Sequence, residues 1–214
     1  MSNDYGPIPF SQLTFSTPRS LLPAPRFTMP RTFIAVAASF KLRQSARKLA
    51  ELLQPVAGDV RWVAPESLHW TLQFLGEIET LEIPAVCSAV AAGAAEVESF
   101  DLEARGTGAF PAPDRPRTLW IGAGAGAQAM VSLHGAIQKK LDRLGVRSEQ
   151  RRYVPHLTIG RASGKSPPRS LIRELAALAE FEAGTMLVDE VTVYSSRLSA
   201  GGPTYDVLAH APLA

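Results

Sequence analysis

Two short stretches with the same spacing constrain this chain more than anything else in it. Leu68-His69-Trp70-Thr71-Leu72 and Pro155-His156-Leu157-Thr158-Ile159 each hold a His and a Thr two residues apart among apolar, β-favouring neighbours. Side chains at i and i+2 leave a strand on the same face, about 6–7 Å apart. Each stretch therefore predicts a strand that shows an imidazole and a hydroxyl on one face. Trp70 and Leu72, or Leu157 and Ile159, turn the other way into a core. A proton-transfer group beside a hydrogen-bond donor, presented twice, suits acid–base chemistry on an oxyanion such as a phosphate. The plainer alternative is two strand histidines satisfied by hydrogen bonds in the core.

The segments around these stretches alternate between strand and helix patterns. Residues 1–30 carry Pro7, Pro9, Pro18, Pro23, Pro25 and Pro30 without periodicity, which predicts a flexible Pro-rich extension. From residue 31 to 214 the chain reads as one domain. Strands are expected at Arg31–Ala38, Val60–Val63, His69–Leu75, Phe100–Arg105, Thr118–Ile121 and Tyr153–Arg161. Thr185–Leu198 reads as one long strand, turned at Gly201-Gly202 into a return strand at Thr204–Leu208. Helices are expected at Lys41–Leu53, Leu81–Val97, Ala129–Leu144 and Pro167–Leu178, with a loop over Gly106–Pro116. This order suggests an α+β fold of two halves in a pseudo-two-fold, bilobal arrangement. Two antiparallel sheets would face a central groove with helices outside, and the two His-x-Thr strands would confront each other across it.

Charge narrows the partner. Over the whole chain the net charge is only +2, but residues 139–173 hold ten Lys and Arg against two acids, a local excess of +8. That run encloses the second His-x-Thr stretch, so a phosphate-bearing ligand would be drawn there; a solvated basic face is the plainer reading. Arg161 stands three residues after Thr158 and would add a charge-assisted contact from the His156 side of the site. The single cysteine, Cys87, permits no internal disulfide and reads as a small buried residue. No apolar run is long enough for a membrane helix.

The residues also carry a resemblance. Val60-Arg61-Trp62-Val63-Ala64-Pro65-Glu66-Ser67-Leu68-His69-Trp70-Thr71-Leu72-Gln73-Phe74-Leu75-Gly76-Glu77 resembles the first signature of the RNA 2′,3′-cyclic phosphodiesterases, also called 2′-5′ RNA ligases, of the 2H phosphoesterase superfamily. Tyr153-Val154-Pro155-His156-Leu157-Thr158-Ile159-Gly160-Arg161 resembles the second. Arg31–Val36, Pro116–Gly122 and Gly201–Leu208 resemble the opening strand, the middle strand and the closing hairpin. The resemblance implies metal-independent hydrolysis of 2′,3′-cyclic phosphodiesters on RNA ends or nucleotides to 2′-phosphomonoesters. His69 would then be the acid for the departing 3′ oxygen and His156 the base for water. Thr71, Thr158 and Arg161 would bind phosphate, and Phe74 would stack on a base or belong to the core. It implies no metal; no cofactor is expected either, and the chain is expected to be a cytoplasmic monomer that takes RNA ends or cyclic nucleotides and no membrane partner. The 30-residue leader is not part of the pattern.

His134 and His210 lack the pairing and are expected to stay outside the chemistry. No HExxH, acidic cluster or cysteine pair suggests a metal site, and Gly122–Gly126 lacks the G-K-[ST] ending of a phosphate loop. Two alternatives remain open at the level of sequence. One is 2′-5′ phosphodiester cleavage or ligation within the same superfamily. The other is a non-catalytic module that binds RNA ends.

Overall fold

The computed structural model describes residues 29–146, 152–163, 167–199 and 202–214. The Pro-rich leader falls almost wholly outside the described residues, as do Arg147, Arg151 and Lys165 of the basic run. Along the chain the elements are β1 (Arg31–Ala37), α1 (Phe40–Ala57), β2 (Val60–Trp62), a 3-10 turn (Pro65–Ser67) and β3 (His69–Glu77). Next come α2 (Ile83–Ala94), β4 (Phe100–Phe110), β5 (Thr118–Ala123), α3 (Ala127–Asp142) and β6 (His156–Ala162). α4 (Arg169–Ala177), β7 (Glu182–Val188), β8 (Glu190–Ser199) and β9 (Gly202–Pro212) complete the fold.

The α+β class and the two-lobed antiparallel arrangement are as expected. One lobe is β7-β4-β5-β6 with β2 at its edge, and the other is β3-β1-β8-β9. The two sheets are joined, however, into one curled sheet by a single residue pair, Trp70 on β3 with Leu157 on β6. Nor do the lobes follow the two halves of the chain. Thr185–Leu198, expected as one strand, breaks at Asp189: β7 pairs with β4 in one lobe and β8 with β1 in the other. A unit spanning the break cannot lie in both sheets at once, so the chain changes lobe there.

Helices cover the face opposite the groove. α1 buries Leu42, Ala46, Leu49, Leu53 and Ala57, the i, i+4, i+7 stripe of an amphipathic helix. Its first turn is capped by the Ser39 hydroxyl, which accepts from the Leu42 N–H. α1 packs with α4 over β7 and β6, while α2 packs with α3 and over β8 and β9. One continuous core runs between these layers and includes Trp70, Leu119, Ile121 and Leu157, all fully buried.

The expected loop at Gly106–Pro116 is in its first part a strand. β4 continues to Phe110 because Gly106, at φ +75°, absorbs a bulge between Ala104 and Thr107. Gly108 then pairs with Trp120 on β5 and leaves room for the indole, which lies where a Cβ would stand. Glycines that read as loop in sequence here serve a bulge and a ring.

These contacts predict opposite effects at two glycines. Gly108→Val should lower the urea unfolding free energy by about 1–3 kcal/mol, as overpacking does. Gly135→Ala on α3, with no neighbour within 4 Å of the added Cβ, should leave it unchanged or raise it by up to about 1 kcal/mol through helix propensity.

Candidate active site

The site is built around the Trp70–Leu157 pair. Both side chains are fully buried on the helix side, so their neighbours on each strand face the groove. Antiparallel register about that pair sets His69 opposite Thr158 and Thr71 opposite His156. Directly opposed side chains have Cβ atoms about 4.5–5.5 Å apart and diagonal ones about 7–8 Å. The two imidazoles occupy one diagonal of a compact quartet and the two hydroxyls the other. The histidines are thus neighbours on adjoining strands rather than residues confronting each other across a cleft.

Each motif strand carries a bulge at the residue after its threonine. Leu72 is the unmatched residue between the pairs Ala35–Thr71 and Ile34–Gln73, and Ile159 is the unmatched one between Trp120–Thr158 and Leu119–Gly160. The bulge reverses the alternation. Residues 72 and 73 are both buried and residue 74 is exposed; 159 and 160 are buried and 161 is exposed. This is why Phe74 and Arg161, each three residues after a threonine, come to the groove face. Phe74 is therefore not a core residue; it is 57% exposed.

Because the strands run antiparallel, Arg161 lies past Thr158 at the His69 end, although it belongs to the His156 strand. Its charge acts on both imidazoles and on Tyr205, whose ring meets His69 edge-on at 5.5 Å. Phe74, past Thr71, lies at the His156 end. There it lines a cavity of about 590 Å³ with Thr71, Phe110, Arg117, Arg152 and Tyr153.

The two imidazoles are held alike. His69 Nδ1 is 2.7 Å from the Ser67 carbonyl and His156 Nδ1 is 2.8 Å from the Val154 carbonyl, each two residues back. A carbonyl only accepts, so Nδ1 carries the proton in both rings and Nε2 is left to take or give one. Each ring also has an aromatic backing. Phe33 lies 5.0 Å from His69, and Phe110 meets His156 edge-on at 4.9 Å. Burial lowers both pKa values below the ordinary 6.5, against the opposing effect of the carbonyl bonds; Arg161 lowers both further, and His156 lowers His69. The Thr71 and Thr158 hydroxyls have no protein partner among the described residues and are free to donate.

His134 and His210 stand apart from the quartet. His134 stacks on Tyr153 at 4.4 Å in the far wall of the cavity, and His210 pairs with Glu190 at 2.6 Å on the surface. Cys87 is half-buried, and burial pushes its thiol pKa up. Of the basic run, Arg152 and Arg161 border the groove and its cavity, while Lys140 pairs with Glu96. Among the described residues no group of three or more His, Cys, Asp or Glu is placed to hold a metal ion. None of the helices described is long and apolar enough to cross a membrane.

Sequence reading missed the aromatic backing. Alternation along Arg31–Ala37 does put Phe33 opposite in sense to the buried Ile34, but nothing local says that β1 borders β3. Tyr205 and Phe110 reach the site only through strand order.

With this geometry in hand, comparison with known proteins is direct. The description of the 2′-5′ RNA ligase superfamily matches residues 39–199. The chain belongs to that superfamily. A Methanothermobacter thermautotrophicus protein named RNA 2′,3′-cyclic phosphodiesterase is 32% identical over 82% of this chain and 94% of its own. A Thermotoga maritima protein of the same name is 30% identical over 83% of this chain and 92% of its own. Among solved structures, Escherichia coli LigT complexed with 3′-AMP superposes with a TM-score of 0.68 at 26% identity, covering 86% of this chain and 98% of that one.

The site's electrostatics predict an NMR result. Both groove imidazoles should titrate below pH 6.5 in the ligand-free protein. Arg161→Gln should raise both values, and His156→Ala should raise that of His69, since each substitution removes a positive neighbour. Unchanged titration of both rings in Arg161→Gln would contradict the placement of that guanidinium.

Proposed function

We propose that the chain is an RNA 2′,3′-cyclic phosphodiesterase that opens cyclic phosphates on RNA ends or nucleotides to 2′-phosphomonoesters. The observation that carries this is the quartet itself: two imidazoles with identical tautomers and free Nε2 atoms, diagonal to each other, and two free hydroxyls on the other diagonal. The names of the relatives support the same reaction.

Thr71 and Thr158 donate to the non-bridging oxygens, and Arg161 adds a charge-assisted contact. Hydrolysis needs two proton transfers at one phosphorus. His156 Nε2 takes a proton from water as the water oxygen bonds to phosphorus. The bond from phosphorus to O3′ breaks, and His69, entering as imidazolium, gives its Nε2 proton to O3′. The product is a 2′-phosphate with a free 3′-hydroxyl, and solvent then restores the two protonation states. No step requires a metal.

Phe74 supports this division of labour. A ribose set with its 2′,3′ edge on the quartet and its base on Phe74 turns C1′ and O2′ toward His156. O3′ and C5′ then face His69 and Arg161. The leaving oxygen thus lies beside His69, and the space opposite it across phosphorus lies beside His156.

Hydrolysis of a nucleoside 2′,3′-cyclic phosphate should proceed in excess EDTA. His69→Ala and His156→Ala should each lower kcat by about 10²-fold or more, with the 2′-phosphate as product by phosphorus NMR. Binding of RNA ends without turnover would instead identify a non-catalytic module, and full activity in either variant would remove the two-histidine mechanism. The pH profile gives a separate check. One histidine must be protonated and one neutral, and both have lowered pKa values in the free protein. The kcat/KM profile should therefore peak below pH 6.5. The kcat profile, which reports the complex, should peak at higher pH because the bound phosphate favours imidazolium.

A further inference from the structure

β2 and β3 run in the same direction along one edge of β6, separated by the 3-10 turn at Pro65–Ser67. β3 meets β6 at Leu157, and β2 meets it at Gly160, Arg161 and Ala162. In that second register Arg61 is the direct partner of Arg161. Trp62 and Val60 turn toward the helix side, where their side chains lie over Gly160. Arg61 therefore faces the groove with Arg161.

Two like charges directly opposed on neighbouring strands destabilise a sheet. The usual remedy is an interposed carboxylate, yet neither Arg61 nor Arg161 has an acidic partner among the described residues, and both are exposed. Arg161 is close enough to act on both imidazoles; Arg61 is one strand position further out and does not. An anion that lay between the two guanidiniums would relieve the repulsion, at a point just beyond the one where the scissile phosphate is held.

We propose that Arg61, with Arg161, forms a second phosphate subsite that holds the phosphodiester on the 5′ side of the terminal cyclic nucleotide. This rests on the proposed reaction and on the ribose orientation derived from Phe74, which sends C5′ past His69 toward Arg161. The phosphate carried on that C5′ arrives between the two arginines. The substrate class that follows is an oligonucleotide end rather than a free nucleoside cyclic phosphate. Arg61 thus acts in selecting substrate length and not in the proton transfers.

The test compares a dinucleotide ending in a 2′,3′-cyclic phosphate with the corresponding nucleoside 2′,3′-cyclic phosphate that has a free 5′-hydroxyl. The wild-type kcat/KM ratio of the two should favour the dinucleotide, and Arg61→Gln should lower that ratio about 10-fold. Arg61→Gln should also reduce the salt dependence of dinucleotide binding by about one unit of slope, and Arg61→Lys should restore part of the ratio. The thermal midpoint of the ligand-free Arg61→Gln variant should hold or rise, because a repulsion is removed; a purely structural role predicts a fall. Equal losses on both substrates, or no loss on either, would overturn the proposal. Titration with a dinucleotide bearing a terminal 2′-phosphate reads the subsite without turnover. If the wild type hydrolyses nothing but binds that product tighter than Arg61→Gln does, the reaction fails and the subsite stands. Equal affinities overturn the subsite whatever the reaction does.

Discussion

The groove depends on one backbone pairing. Among the described residues Trp70 and Leu157 are the one pair that connects β3 to β6, and both are fully buried. Around such a pair an antiparallel ladder has a local two-fold axis, so a spacing repeated on both strands becomes a symmetric cluster. A slip of one residue would require one strand to turn over, and its histidine and threonine would go into the core. A slip of two would set His69 opposite His156, or Thr71 opposite Thr158, and separate the remaining pair. Large apolar side chains at the centre of both motifs hold the register that makes the quartet. Truncating Trp70 would cost about 3–5 kcal/mol as a core residue, and it would also loosen the ladder position that joins the lobes.

The same axis explains why a symmetric frame makes an unsymmetric site. Each strand bulges at the residue after its threonine, so the third residue after the threonine returns to the groove face. One strand puts Phe74 there and the other Arg161. Antiparallel crossing then places each of them beside the histidine of the other strand. Phe74 stands at the His156 end, where Arg117 and Arg152 also line the cavity, and Arg161 stands at the His69 end, where Phe33 and Tyr205 adjoin the imidazole. A nucleotide has the same polarity, with a base on one side of its ribose and a chain of phosphates on the other. In the proposed reaction that polarity would be met by two residues that are equivalent by fold and opposite in chemistry.

Much of this was legible in the chain. The i, i+2 spacing put His69 with Thr71 and His156 with Thr158 on one half-buried face of each strand, with Trp70 and Leu157 in the core. Helix stripes and caps were local and followed their periodicity. Strand order was not legible, because pairing is decided by contacts far apart in sequence; hence the separate sheets, the unbroken Thr185–Leu198 strand and the missed Phe33, Phe110 and Tyr205. The bulges were also hidden. Strict alternation places Phe74 with Trp70 and Leu72 in the core, and only the unmatched Leu72 reverses it. Gly106 and Gly108 read as loop because glycine signals both turns and bulges, and only the Trp120 ring across the ladder shows which. The basic run was informative in sign but not in detail, since Arg61 and Arg117 come to the groove from outside it.

The near identity of the two histidines bears on how acid and base are told apart. Both donate Nδ1–H to the carbonyl two residues back, both rest on aromatic rings, and both have burial-lowered pKa values. Arg161 lowers both, so the ligand-free groove disfavours imidazolium at either position. A bound phosphate reverses that field, and it does so most strongly where a proton can also meet a developing alkoxide. In the proposed reaction that place would be set by where O3′ lies, with Phe74 and the arginines orienting the ribose. In the proposed reaction the groove would present two similarly held imidazoles, and the polarity of the ligand would decide which one gives a proton and which one takes it.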